Sequence, residues 1–98
     1  KADPVAALKQ YGDRVWHVHF KDCQPALTQG RTFYEAVNEQ LFCELGKGVV
    51  DFKSMLKELD ARRYQGWIVV EQDILPGQQD NAKPSAGRNR QYLENIGV

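Results

Sequence analysis

Two imidazoles and an ammonium recur at every second position of Val15-Trp16-His17-Val18-His19-Phe20-Lys21-Asp22. Successive side chains of a strand point to opposite faces, so His17, His19 and Lys21 share one face and Trp16, Val18 and Phe20 share the other. Covering helices would bury the second face and leave the first free for chemistry. His19 is the candidate metal ligand, the alternative being a strand histidine satisfied by a backbone carbonyl. His17, one residue pair deeper on that face, either contacts substrate or is a packed, hydrogen-bonded histidine. Lys21 lies nearest the strand end, where an ammonium polarises a substrate oxygen or stabilises a developing anion; the alternative is an ion pair with Asp22 or Glu71. Glu71 follows the apolar run Trp67-Ile68-Val69-Val70. By alternation Val69, Glu71 and Asp73 share a face, while Ile68 and Val70 face helices. A carboxylate that ends a run this apolar is poorly explained as solvated surface.

The elements that must position these groups alternate between helix and strand. Asp3-Pro4 starts a helix that carries Val5, Leu8 and Tyr11 at helical spacing and stops at Gly12. The strand at 15–22 follows. Residues 23–50 read as a loop, far longer than an ordinary strand-to-helix link, and long ordered loops are usually functional. Inside it, Thr32-x-x-Glu35 has the spacing of a capping box, with Phe33, Tyr34 and Val37 for a short helix to bury. Leu41-Phe42-Cys43 reads as a brief extended piece. Gly46-x-Gly48 is weak as a phosphate signal and reads mainly as a turn. Asp51 caps a helix with Phe52, Met55, Leu56 and Leu59 on one face. The strand at 67–70 has the continuous apolar character of a parallel strand covered on both sides, and Trp67 reads as core. After a polar loop at 75–84, a last helix runs from about Ser85, with Ala86, Leu93 and Ile96 as its apolar line and Gly97 at its end.

The composition narrows the function classes. The 98 residues include 13 basic and 13 acidic side chains, for a formal charge of zero. Bulk electrostatics therefore argue against nucleic acid and charged membrane surfaces as partners. No apolar run approaches the ~18 residues of a membrane span, and Lys1-Ala2-Asp3-Pro4 leads directly into the first helix with no signal-peptide core. Cys23 and Cys43 are expected to be reduced thiols in a cytoplasmic protein. Cys23, although it follows the active strand, has nothing beside it to activate a thiolate.

Two parallel strands with covering helices cannot close a sheet. The class is α/β, and the order of elements is the tail of an alternating β/α protein. A closed barrel of this kind takes ~250 residues and eight strands, so residues 1–98 amount to about the last two β/α units of a TIM barrel, one portion of a single domain. Such a piece is expected to be inactive alone and to self-associate along its sheet edges.

Three separated motifs carry a family resemblance. His17-x-His19-x-Lys21-Asp22, then Gly46-x-Gly48-x-x-Asp51-Phe52, then Tyr64-x-Gly66-Trp67-x-Val69-Val70-Glu71-Gln72-Asp73 together resemble the C-terminal portion of the xylose-isomerase-like TIM-barrel superfamily of sugar phosphate isomerases and epimerases. Within it the chain is most similar to the inosose dehydratase branch, with further similarity in Phe33, Ala36, Val37 and Phe42 and in Arg88-Asn89-Arg90-Gln91-Tyr92-Leu93. The resemblance implies a divalent metal held by two carboxylates from strands outside this chain, by His19 and by Glu71. Oxygen-rich sites with one imidazole suit manganese, cobalt or magnesium. The implied activity is metal-dependent dehydration of a keto-inositol or related polyol through an enediolate, with Glu71 and Lys21 catalytic and His17 and Lys21 touching substrate. A sugar phosphate isomerase or epimerase is the alternative, although Lys21-Asp22 stands where the epimerase pattern has Gly-Glu after the histidine.

Overall fold

The computed structural model describes residues 2–98; Lys1, the first residue of the opening stretch, lies outside them. Helix α1 (Pro4–Tyr11) starts as its sequence dictates, with Asp3 Oδ1 accepting from the amides of Val5 and Ala6 at 2.9 and 3.1 Å. A 3-10 turn at Gly12–Arg14 leads to strands β1 (Val18–Phe20) and β2 (Asp22–Cys23). The long loop then holds a 3-10 turn (Pro25–Thr28), helix α2 (Phe33–Asn38) and strand β3 (Phe42–Cys43). Helix α3 (Phe52–Ala61), strand β4 (Ile68–Val70) and helix α4 (Ala82–Ile96) complete the order.

Strands β1 and β4 pair in parallel, with His19 opposite Val69 and Phe20 opposite Val70. Strands β2 and β3 form a separate antiparallel pair, with Asp22 opposite Cys43 and Cys23 opposite Phe42. The core joins Leu8 of α1, Phe20 of β1, Leu45 of the loop, Phe52, Leu56 and Leu59 of α3 and Leu93 of α4. Phe52 stacks 4.9 Å from Phe20 and 6.3 Å from Tyr92. Helices α1, α3 and α4 thus bury the Phe20 side of β1 and leave the histidine side open. No helix among the described residues is long and apolar enough to cross a membrane.

Four expectations change. The first strand is regular only from Val18, because the ladder with β4 begins there; Trp16 and Trp67 lie just before the paired residues and are 86 % and 81 % exposed, not covered by helices. In α2 the capping box forms, but Ala36 is the buried residue and Phe33 and Tyr34 are exposed, since a six-residue helix turns only a narrow stripe inward. Helix α4 starts at Ala82, three residues before the expected Ser85. It tolerates Pro84 because the first four amides of a helix have no intrahelical acceptor in any case. Its inward line is Ser85, Asn89 and Leu93 at spacings of four, with Ala86 exposed.

The loop is held by a carboxylate. Asp22 is completely buried. Its Oδ1 accepts from the amides of Cys23 (2.9 Å) and Val50 (3.1 Å), and its Oδ2 from those of Gly46 and Gly48 (both 2.9 Å). The Gly-x-Gly amides therefore bind an anion that the chain itself supplies. A Cβ at Gly48 would collide with the Asp22 carboxylate and the Cys23 carbonyl, and one at Gly46, where φ is +85°, with the Tyr92 ring. Asn89 ties the loop to α4: its Oδ1 accepts from the Leu45 amide at 2.8 Å and its Nδ2 donates to Gln72 Oε1 at 3.2 Å. Cys23 and Cys43 are free thiols. They sit on neighbouring strands in diagonal register, so their side chains leave opposite faces of the pair and cannot bridge without backbone movement. Burial, and then the nearby Asp22 charge, push the Cys43 thiol pKa up.

Glu44 makes the loop acid-sensitive. Arg88 donates to its Oε1 from Nε (2.9 Å) and an Nη (2.6 Å), and Lys47 Nζ lies 2.7 Å from its Oε2. The Arg88 hydrogen bonds, followed by those of Lys47 and Ser85, outweigh burial and lower its pKa from 4.5 to about 2. A depressed folded-state pKa contributes stability that is present above pH 4.5 and is lost as the pH falls toward 2. Arg88 and Lys47 are more than half exposed, so solvent screening reduces the contribution to about 1 kcal/mol or less. Urea midpoints measured from pH 6 down to 2.5 should fall less steeply in Arg88→Met than in the wild type.

Candidate functional site

The parallel register of β1 and β4 brings the chemical residues of the two strands side by side. The Glu71 amide donates to the Phe20 carbonyl at 2.9 Å, which carries the pairing one residue past β4 and sets Glu71 beside Lys21. His19 Nδ1 is 3.4 Å from Glu71 Oε2, and Lys21 Nζ is 2.8 Å from Glu71 Oε1. The carboxylate is thus divided, one oxygen on the ammonium and the other toward the imidazole. The His17 ring meets the His19 ring edge to face, with centroids 5.1 Å apart.

His17, His19, Lys21 and Glu71 share one open face, as alternation required. Lys21 does not pair with Asp22, whose carboxylate is taken by the loop amides; its second partner is Asp73, with Nζ 2.9 Å from Oδ2. The ammonium also sits 4.1 Å from the centroid of the Phe42 ring, which β3 delivers through the Cys23–Phe42 pairing. Asp73 and Phe42 in turn line a cavity of about 290 Å³, polar through Gln24, Gln72, Lys47 and Arg88. Reasoning from sequence assigned no role to Asp73 or Phe42. The position of Asp73 two residues beyond Glu71 was the available signal; for Phe42 there was none, because its approach to Lys21 depends on the loop folding back.

The electrostatics follow from these contacts. For Lys21, burial is the largest single influence and works against the charge, but hydrogen bonds and charge attraction from Glu71 and Asp73 outweigh it and raise the pKa above 10.5. For Glu71, the hydrogen bond from Lys21 and then that from His19 hold the carboxyl below its usual 4.5. The group is an anion at neutral pH. An imidazole nitrogen and an anionic oxygen that converge without a thiolate are donors of the kind a hard or borderline divalent cation takes. Among the described residues no three His, Cys, Asp or Glu side chains gather closely enough to hold an ion unaided. His19 and Glu71 therefore fit a metal as part of a larger donor set.

Comparison with known proteins places this geometry in context. A family model described as xylose isomerase-like TIM barrel matches residues 1–96. An inosose dehydratase of Klebsiella pneumoniae subsp. pneumoniae is 38% identical over 81 residues, which are 78% of this chain and 27% of that protein. An inosose dehydratase of Clostridium botulinum (strain Eklund 17B / Type B) is 32% identical over 97 residues, 94% of this chain and 32% of its own length. The rhizopine catabolism protein MocC of Rhizobium meliloti is 38% identical over 81 residues, 78% of this chain and 25% of its own. The chain thus spans about a quarter to a third of the length of the relatives it matches. No solved structure matches it.

Proposed function

The chain belongs to the xylose isomerase-like TIM-barrel family, and from that premise we propose that it forms the C-terminal portion of a barrel enzyme that removes water from a keto-inositol or related polyol with the help of a divalent cation. The observation that carries this reading is the convergence of His19, within β1, with Lys21 and Glu71, each the first residue past its strand, toward the C-terminal ends of two adjacent parallel strands, the end of a β/α barrel where active sites lie. His19 and Glu71 would hold manganese, cobalt or magnesium together with carboxylates from the rest of the barrel. When bound, such a cation polarises a ketone and its neighbouring hydroxyl and so acidifies the carbon-bound proton between them.

The chain's own residues supply the surrounding chemistry. Glu71 presents one oxygen beside His19 and is the group placed to accept a proton at the reacting centre. Lys21, fixed by two carboxylates, offers its charge to a substrate oxygen that becomes negative. His17, edge to face with His19, stands deeper on the same surface, where a polyol hydroxyl meets it. The open edges of β1 and β4 would be covered by the neighbouring strands of the barrel or, in the isolated piece, by another copy. Free thiols at Cys23 and Cys43 suit a cytoplasmic protein.

The test is an assay of the full-length protein with 2-keto-myo-inositol, with and without chelator. Loss of water that stops on chelation and returns with manganese is the expected result. Epimerisation without loss of water would replace the lyase by an isomerase, and turnover indifferent to chelation would remove the metal.

A further inference from the structure

Lys21 has two carboxylate partners, and the second is unexplained by the sheet or by the loop. Asp73 lies beyond β4 on the face of Glu71, its side chain 44 % exposed, and its Oδ2 is 2.9 Å from Lys21 Nζ. The Phe42 ring approaches the same ammonium at 4.1 Å, a distance at which the ring's electron-rich face attracts a cation. A lysine ammonium is a compact charge with three donors that rotate freely. With Glu71 as its only anion, it could swing between the two carboxylate oxygens and offset the charge of both. With Asp73 present, one positive charge is shared between two negative ones and the ammonium stays on Oε1 of Glu71.

We infer that Asp73 is a positioning residue: by drawing Lys21 toward itself it leaves Glu71 Oε2, 3.4 Å from His19 Nδ1, as the oxygen available to a divalent cation. This rests on the metal reading of His19 and Glu71 given above. The dependence has a direction. Asp73 acts on Glu71 only through Lys21, so its effect vanishes when Lys21 is removed, which a ligand to the cation or a residue needed for folding would not reproduce.

The experiment follows the His19 imidazole NMR signals of the full-length protein, selectively ¹⁵N-labelled at histidine, as Mn²⁺ alone is added. Asp73→Asn should raise the concentration that half-broadens them about tenfold, the size expected for loss of a partner behind a metal ligand. Asp73→Glu should restore the wild-type value. In a Lys21→Met background Asp73→Asn should change nothing further. An equal loss in that background, or no loss with Lys21 present, overturns the inference. Should Mn²⁺ fail to broaden His19 in the wild type, the metal reading falls, and the Lys21 ammonium signal in a ¹H–¹⁵N spectrum decides the clamp by itself. That signal should be visible in the wild type and in Asp73→Glu and lost to solvent exchange in Asp73→Asn; a signal unchanged by Asp73→Asn overturns the clamp.

Discussion

Asp22→Ala should destabilise the chain by about 3–5 kcal/mol, the range for removing one partner from a buried charged contact, and should free the loop from the sheet. Four backbone amides, those of Cys23, Gly46, Gly48 and Val50, lose their acceptor at once. An orphaned buried amide costs ~1–3 kcal/mol, and the four are not additive because the loop will move to hydrate some of them. A small domain has only ~5–15 kcal/mol in total, so the loss is severe. Asp22→Asn should fall between alanine and wild type, since it keeps one acceptor oxygen but turns an NH₂ group toward two of the amides. Urea midpoints give the stability. Hydrogen exchange at Gly46, Gly48 and Val50 localises it, and protection there unchanged in Asp22→Ala would show that the carboxylate does not hold the loop.

Glu71→Gln should be the most damaging change to chemistry with little effect on the fold, because the side chain is 47 % exposed and, among the described residues, makes its hydrogen bonds only to His19 and Lys21. Glutamine keeps the size of the side chain and one oxygen but removes the charge a hard cation needs. If Glu71 is a ligand, metal content falls with turnover in the full-length protein, the first by tenfold or more on the order seen for metal-site changes. If it only carries a proton, the metal stays while turnover drops by ~10²–10⁴. Both quantities measured on one purified preparation separate the roles, and retention of both would reduce Glu71 to a strand end. His19→Ala should likewise lower metal content, and because that side chain is half exposed it should do so without unfolding.

The open edges bear on both experiments. Strands β1 and β4 form a sheet of two, and a β/α barrel of this class closes with eight. Stability and turnover are therefore both measured on the full-length protein, in which neighbouring strands would cover those edges.

Much of the site was legible because it depends on covalent geometry alone. The alternation of a strand puts His17, His19 and Lys21 on one face of the first strand and Glu71 and Asp73 together on one face of the second whatever the fold, and the caps at Asp3, Thr32 and Asp51 satisfy amides within three residues of themselves. These are local relations, and each of them forms. The tertiary structure decided what no local rule contains. The register that sets Glu71 beside Lys21 joins strands separated by about fifty residues. Asp22 finds its acceptor role in amides 24 to 28 residues away. The exposure of Trp16 and Trp67 and the inward turn of Asn89 depend on where neighbouring elements stop, which hydropathy does not encode. Residue types and their spacing chose the chemical groups of this protein; the folding of a long loop onto a buried carboxylate and the parallel pairing of two strands chose which of those groups meet, because contacts between distant segments are set by packing and hydrogen-bond satisfaction across the whole chain.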